Sequence, residues 1–297
     1  MDLGDVSYEL RAYNDAYSAY RRAVNLDPDN LAACMGMART SAMLHDPGEA
    51  LSWIRRAERL APDDPELTDL KGRMLLLAGR LDEAVAVLER ATRASPQRVA
   101  SYLNLASVYA TLGRHDEAVQ RAQTAAMLAP RDPVAQLALA MHLDRAGRGE
   151  AAEKQYRRAL KLDPADTVAM LALAQNLVAR KRRLAEARQL ALAAAKSEAQ
   201  RAEAAVTAAW ASHLQGDTET AANELGAFLQ RSPHHPDAWR KLVALIRVLR
   251  DRARARGDDS LAKVLEEKAQ AAERDSQQFI GVAEPLPPVL GPSGPGR

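Results

Sequence analysis

The chain has one cysteine, Cys34, which excludes an internal disulfide and a cysteine-rich metal site. Aromatic residues are nearly as scarce. Two Phe, three Trp and seven Tyr make up 4% of 297 residues, too few to fill one thick core. No apolar run approaches the roughly 18 residues of a membrane-crossing helix, and the opening MDLGDVSYEL lacks the basic and apolar regions of a secretory signal. Cytoplasm is therefore the expected compartment; the periplasm would require a longer precursor of which this chain is an excerpt. Net charge is only +2, so the chain as a whole does not demand an acidic partner. It contains no glycine-rich phosphate loop and no nucleophile elbow. Of the six histidines, 45, 115, 142, 213, 234 and 235, none has a carboxylate or cysteine at metal-ligand spacing, and Cys34 reads as a small buried hydrophobe. No catalytic residue, metal ligand or cofactor is expected, and the chain reads as a non-enzyme.

What the chain does have is alanine and leucine placed with a strict period. Pro28, Pro62, Pro96, Pro130 and Pro164 are each 34 residues apart, and so are Ala16, Ala50, Ala84, Ala118 and Ala152. Ala23, Ala57, Ala91, Ala125 and Ala159 march in the same step, as do Gly79, Gly113 and Gly147. The next members, Ala221, Pro233 and Gly216, come 69 residues on, two periods plus one, so one residue is inserted, expected within 179–187. Inside one period, 99–132, Tyr102, Leu105, Ala106 and Tyr109 form a single stripe at helical spacing, Gly113 interrupts it, and Ala118, Ala122 and Ala125 form a second stripe before Pro130 closes the unit. Asp64-Pro65 and Asp132-Pro133 read as an N-cap followed by proline at the first helical position, and Asp166 reads as a further N-cap.

A 34-residue helix-turn-helix unit with small residues at fixed places and a closing proline resembles the tetratricopeptide repeat (TPR) family, across about nine-tenths of the chain. The resemblance implies an all-α fold, a right-handed superhelical α-solenoid. Seven units are expected at 1–30, 31–64, 65–98, 99–132, 133–166, 167–201 and 202–235, the first short at its N-terminus. A partial eighth unit with a polar closing helix follows at 236–278, its first helix overshooting by seven residues before Gly257. The Pro- and Gly-rich stretch 279–297 reads as a disordered tail, with a proline-recognition ligand in PLPPVL as the lesser reading. The family's small turn residue is replaced by Arg11, His45, Lys181 and Arg250, and Glu186 falls where Ala is expected unless the insertion restores Ala187.

In this family the first helix of each unit lines the inner face. The corresponding residues are Met35, Asp69, Leu103, Asn104, Leu137, Met141, Leu171, Val206 and Trp210, with Arg39 and Arg73 at one end and Arg240, Lys241 and Arg247 at the other. They predict a groove for another protein's amphipathic helix or apolar peptide with acidic flanks, in a scaffold or adaptor. Partial packing of these side chains against neighbouring helices is the equal alternative. The family's carboxylate clamp is not met, because Ala100, Val134 and Ala138 stand where cations are needed. Two other readings rank below the scaffold. One is a targeting arm of a larger enzyme or assembly; the other is an RNA-binding helical repeat using Arg180-Lys181-Arg182-Arg183 or the arginines at 247, 250, 252, 254 and 256. Both clusters read first as solvated faces.

Overall fold

The computed structural model describes residues 3–62 and 64–280, and every regular element among them is helical. Two compact units divide the chain, Met1–Leu162 and Asp163–Arg297. In the first, α1 (Leu3–Glu9) turns back along α2 (Tyr13–Leu26), and the hairpin recurs as α3 (Leu31–Met43) with α4 (Pro47–Leu60) and α5 (Pro65–Leu77) with α6 (Leu81–Ala94). It recurs again as α7 (Val99–Thr111) with α8 (His115–Leu128) and α9 (Pro133–Arg145) with α10 (Gly149–Leu162). The second helix of each hairpin packs on the first helix of the next, and α1, α3, α5, α7 and α9 lie side by side. In the second unit α11 (Thr167–Ala179) pairs with α12 (Leu184–Ala194), and a 3-10 turn (Glu198–Gln200) leads to α13 (Arg201–Leu214). There α13 pairs with α14 (Thr218–Arg231) and α15 (Pro236–Ala255) with α16 (Asp259–Ile280). This is the all-α helix-hairpin stacking of a solenoid.

The helix ends follow from the residues at them. Asp64, Asp132 and Asp166 are N-caps whose carboxylates accept from backbone N–H groups of the first turn, with Pro65 and Pro133 at the first helical position. Asn30, Asp46 and Asp217 cap in the same way, and His235 caps α15 through Nδ1, which accepts from Ala238 N–H at 3.2 Å. At the hairpin turns the amide two residues past the C-cap donates five residues back, as from Arg114 to Tyr109 and from Arg80 to Leu75, which needs one left-handed residue. Gly79, Gly113, Gly147, Gly216 and Gly257 supply it, and Arg11, His45 and Lys181 take the same conformation with φ of 58°, 60° and 51°. Arg250, the remaining departure from the small turn residue, lies inside α15, whose overshoot moves the turn to Gly257.

Ala16, Ala50, Ala84, Ala118, Ala152 and Ala221 are buried to within 1% of complete, and Tyr20, Ile54, Leu88 and Tyr156 fill the spaces beside them. The Tyr20 hydroxyl donates to Asp5 at 2.6 Å; burial first and this bond second raise its pKa. The inserted residue lengthens the turn between α11 and α12, where Lys181 and Arg183 both have positive φ, and Ala187 is the buried residue while Glu186 stays at the surface. Cys34 is buried, and desolvation pushes its thiol up. The helix α16 runs to Ile280, and the rest of the expected tail, PLPPVL included, lies outside the described residues.

Candidate functional site

In the first unit the side-by-side helices α3, α5 and α7 enclose a cleft of about 300 Å³ lined by Arg39, Glu66, Asp69, Leu70, Arg73, Arg98, Ala100, Leu103 and Asn104. Leu103 and Asn104 are half-buried here, so part of each side chain faces the opening. At the base lies Asp69, 5% exposed. A carboxylate at such depth must be compensated. Arg98 Nε–H donates to Oδ2 at 2.5 Å, Ser101 Oγ–H donates to Oδ1 at 2.6 Å, and Asn104 Nδ2 lies 3.5 Å from the Asp69 carbonyl. At the mouth Arg39 pairs loosely with Glu66 at 3.4 Å, and its guanidinium lies over the Tyr8 ring. Arg73 is exposed and has no carboxylate partner among the described residues. The cleft therefore offers the uncompensated guanidinium of Arg73, the amide of Asn104 and the apolar side chains of Leu103 and Ala100.

The other inner-face residues divide by burial. Met35 is half-buried against the cluster of Cys34 and Met37, while Leu137 and Met141, one turn apart on α9, are half-buried beside α7. In the second unit Leu171, 3% exposed, is enclosed with Ala194 and Ala204, and Val206, 4% exposed, belongs to the core with Ala209 and Trp239. Neither presents surface to a partner. Trp210 does, half-buried, with Lys241 Nζ 5.8 Å from its ring centre and His213 stacked at a tilt. Lys241 and Arg240 both lean on Asp237, at 2.7 and 3.6 Å, so the cationic end is partly neutralised within α15.

Sequence reasoning placed Asp69 on the inner face without foreseeing Arg98, 29 residues away, as its partner. The pairing leaves no periodic trace; a lone carboxylate among Met and Leu at the equivalent places was the available signal. The five-arginine cluster also resolves: Arg247 pairs with Glu273, Arg250 with Glu266 and Asp251, and Arg254 with Glu266. Arg180 bonds Asn176 and Arg183 approaches Glu186. Among the described residues no three His, Cys, Asp or Glu groups converge as a metal ion would require, and no helix is long and apolar enough to cross a membrane.

A family signature described as Tetratricopeptide repeat matches residues 8–74 and 75–142, and a second of the same description matches 133–176. No curated protein matches the chain. Among solved structures, a thermophilic TPR protein of Thermus thermophilus is 27% identical over 59% of this chain and 96% of its own, with a TM-score of 0.54. The structure of Pseudomonas aeruginosa pilF is 17% identical, covers 68% of this chain and 92% of its own, and scores 0.59. A chain of the APC/C hetero-tetramer Cut9-Hcn1 is 15% identical and scores 0.61, covering 91% of this chain, which spans about half, 52%, of that longer one. At such identities the last two likenesses concern the fold alone.

Proposed function

Because the chain belongs to the tetratricopeptide repeat family, whose stacked hairpins are typically protein-interaction scaffolds, we propose that it is a non-enzymatic scaffold holding another protein's helix or peptide against its first helices. The observation that carries this reading is the cleft between α3, α5 and α7, whose lining includes both Leu103 and Arg73, an arginine with no carboxylate partner among the described residues. The partner presents an apolar residue toward Leu103 and an acidic one toward Arg73, with Leu137 and Met141 extending the apolar surface along α9 and Met35 along α3. In the second unit Trp210 and Lys241 offer a matching pair, an aromatic face with a cation at its edge.

The test is a photo-crosslinking residue substituted for Leu103 in the full chain, exposed to lysate of the source cells. Crosslinks to segments carrying apolar and acidic residues, lost when Arg73→Glu is added, are the expected result. Crosslinks indifferent to Arg73→Glu, or none at all, would end the reading.

A further inference from the structure

A second groove lies within the second unit, between α14 and α16 with α15 as its floor, and measures about 700 Å³. It exists because α15 has 20 residues where α11 has 13. The added turns carry Leu249, Arg252 and Ala253 into the floor, and the displaced turn lets α16 begin with Leu261 and Leu265 in the lining beside them. Leu242, Ile246, Leu249 and Ala253 recur along α15 at helical spacing; Leu242, Ile246 and Ala253 are 8%, 8% and 4% exposed and form the packed base, and Leu249 is half-buried and presents surface to the groove. Leu261 is 46% exposed and Leu265 half-buried, so the α16 side of the groove adds open apolar surface.

The rim is charged unequally. Arg247, Arg250 and Arg254 are occupied by Glu273, Glu266 and Asp251, whereas Arg252, Arg256 and Lys268 line the groove with no carboxylate partner among the described residues. Arg252 reaches the Gly216 carbonyl at 3.5 Å, which leaves its charge uncompensated. Of the three acidic lining residues, Asp217 accepts from Thr220 N–H at 3.1 Å and Asp258 from Leu261 N–H at 2.9 Å. Their charges are thus turned toward the positive ends of α14 and α16. Glu219 is the remaining acidic residue of the lining.

We propose that this groove docks an acidic amphipathic helix of another protein, its apolar face on Leu249, Leu261 and Leu265 and its carboxylates against Arg252, Arg256 and Lys268. A groove between two flanking helices suits a third helix laid along it, and the three cations of the rim that have no carboxylate partner among the described residues favour an acidic one. The surface is separate from the first-helix cleft, so the two proposals stand or fall independently.

The experiment is selection of short helical peptides from a displayed library against the full chain, followed by binding to Arg252→Glu/Arg256→Glu and, separately, Leu261→Ser. Both arginines and Leu261 are exposed, so the variants keep their helicity, checked by circular dichroism. Peptides with apolar residues at i and i+4 and an excess of Asp and Glu are expected, bound about tenfold more weakly by the double variant and more weakly by Leu261→Ser. Selected peptides that are basic or neutral, or that bind both variants as well as the parent, would overturn the proposal. So would a dimer dissolved by the charge reversals, or single-stranded RNA bound with a steep salt slope and lost in the same variant.

Discussion

A Cβ added to Gly72 would lie 2.5 Å from both Cγ and Cδ2 of Leu88, closer than non-bonded carbon atoms can come. The two helices of that hairpin meet where the side chain is missing. Alanine would gain about 1 kcal/mol of helix propensity there, against about 1–3 kcal/mol for forcing a methyl group into a filled space. Gly72→Ala is therefore expected to destabilise the protein, and Leu88→Val in the same chain to recover part of the loss. Urea unfolding followed by circular dichroism checks both; a neutral or stabilising Gly72→Ala would mean that the hairpin opens at no cost.

Asp69 gives a second test. Asp69→Ala strands the buried Ser101 hydroxyl and releases Arg98, and should cost about 1–3 kcal/mol. Asp69→Leu together with Ser101→Ala puts at this place the leucine found at Leu103 and Leu137, and should be close to neutral, since a buried ion pair can often be replaced by packing. Thermal melts of the two variants should therefore separate clearly.

His142 sets a pH dependence. Its ring is buried between neighbouring helices, its Nδ1 has no partner among the described residues, and burial, aided by Arg145 and His115, pulls its pKa down from 6.5 to about 4. Between these values the unfolded chain holds a proton that the folded chain refuses. Stability is thus at its full value above the unfolded pKa and falls as the pH drops toward about 4, by up to roughly 3 kcal/mol. Urea midpoints measured at neutral pH and near pH 5 should differ more in the parent than in His142→Leu; equal shifts would remove His142 as the cause.

His45 and Lys181 hold left-handed backbone conformations that cost an ordinary residue energy. His45→Gly and Lys181→Gly are each expected to raise stability by a few tenths to about 1 kcal/mol, and Gly113→Ala to lower it by about as much. Equilibrium denaturation distinguishes these signs.

The hairpins, their caps and their turns were legible because each rests on local chemistry: a period, an aspartate before a proline, a glycine after a stripe. The insertion too was legible, down to the choice of Ala187 over Glu186. The depth of the inner face was not. Leu171 and Val206 share a register with Leu103 and Leu137, yet the first pair is covered and the second half-open. Period tells which way a side chain points; how far the adjoining helix reaches over it depends on that helix's own side chains. Nor could spacing show that Arg98 would be held by Asp69, or that three arginines of α15 would be matched by acids of the helix beside it while two would not.

Within each compact unit a hairpin touches the hairpins just before and after it in the chain. Bonds between residues so near in sequence cost little loop-closure entropy, so such a protein is suited to rapid assembly. On the ribosome each pair of helices needs only the next few dozen residues to emerge before its flank is covered, and consolidation can follow synthesis step by step instead of awaiting release of the finished polypeptide.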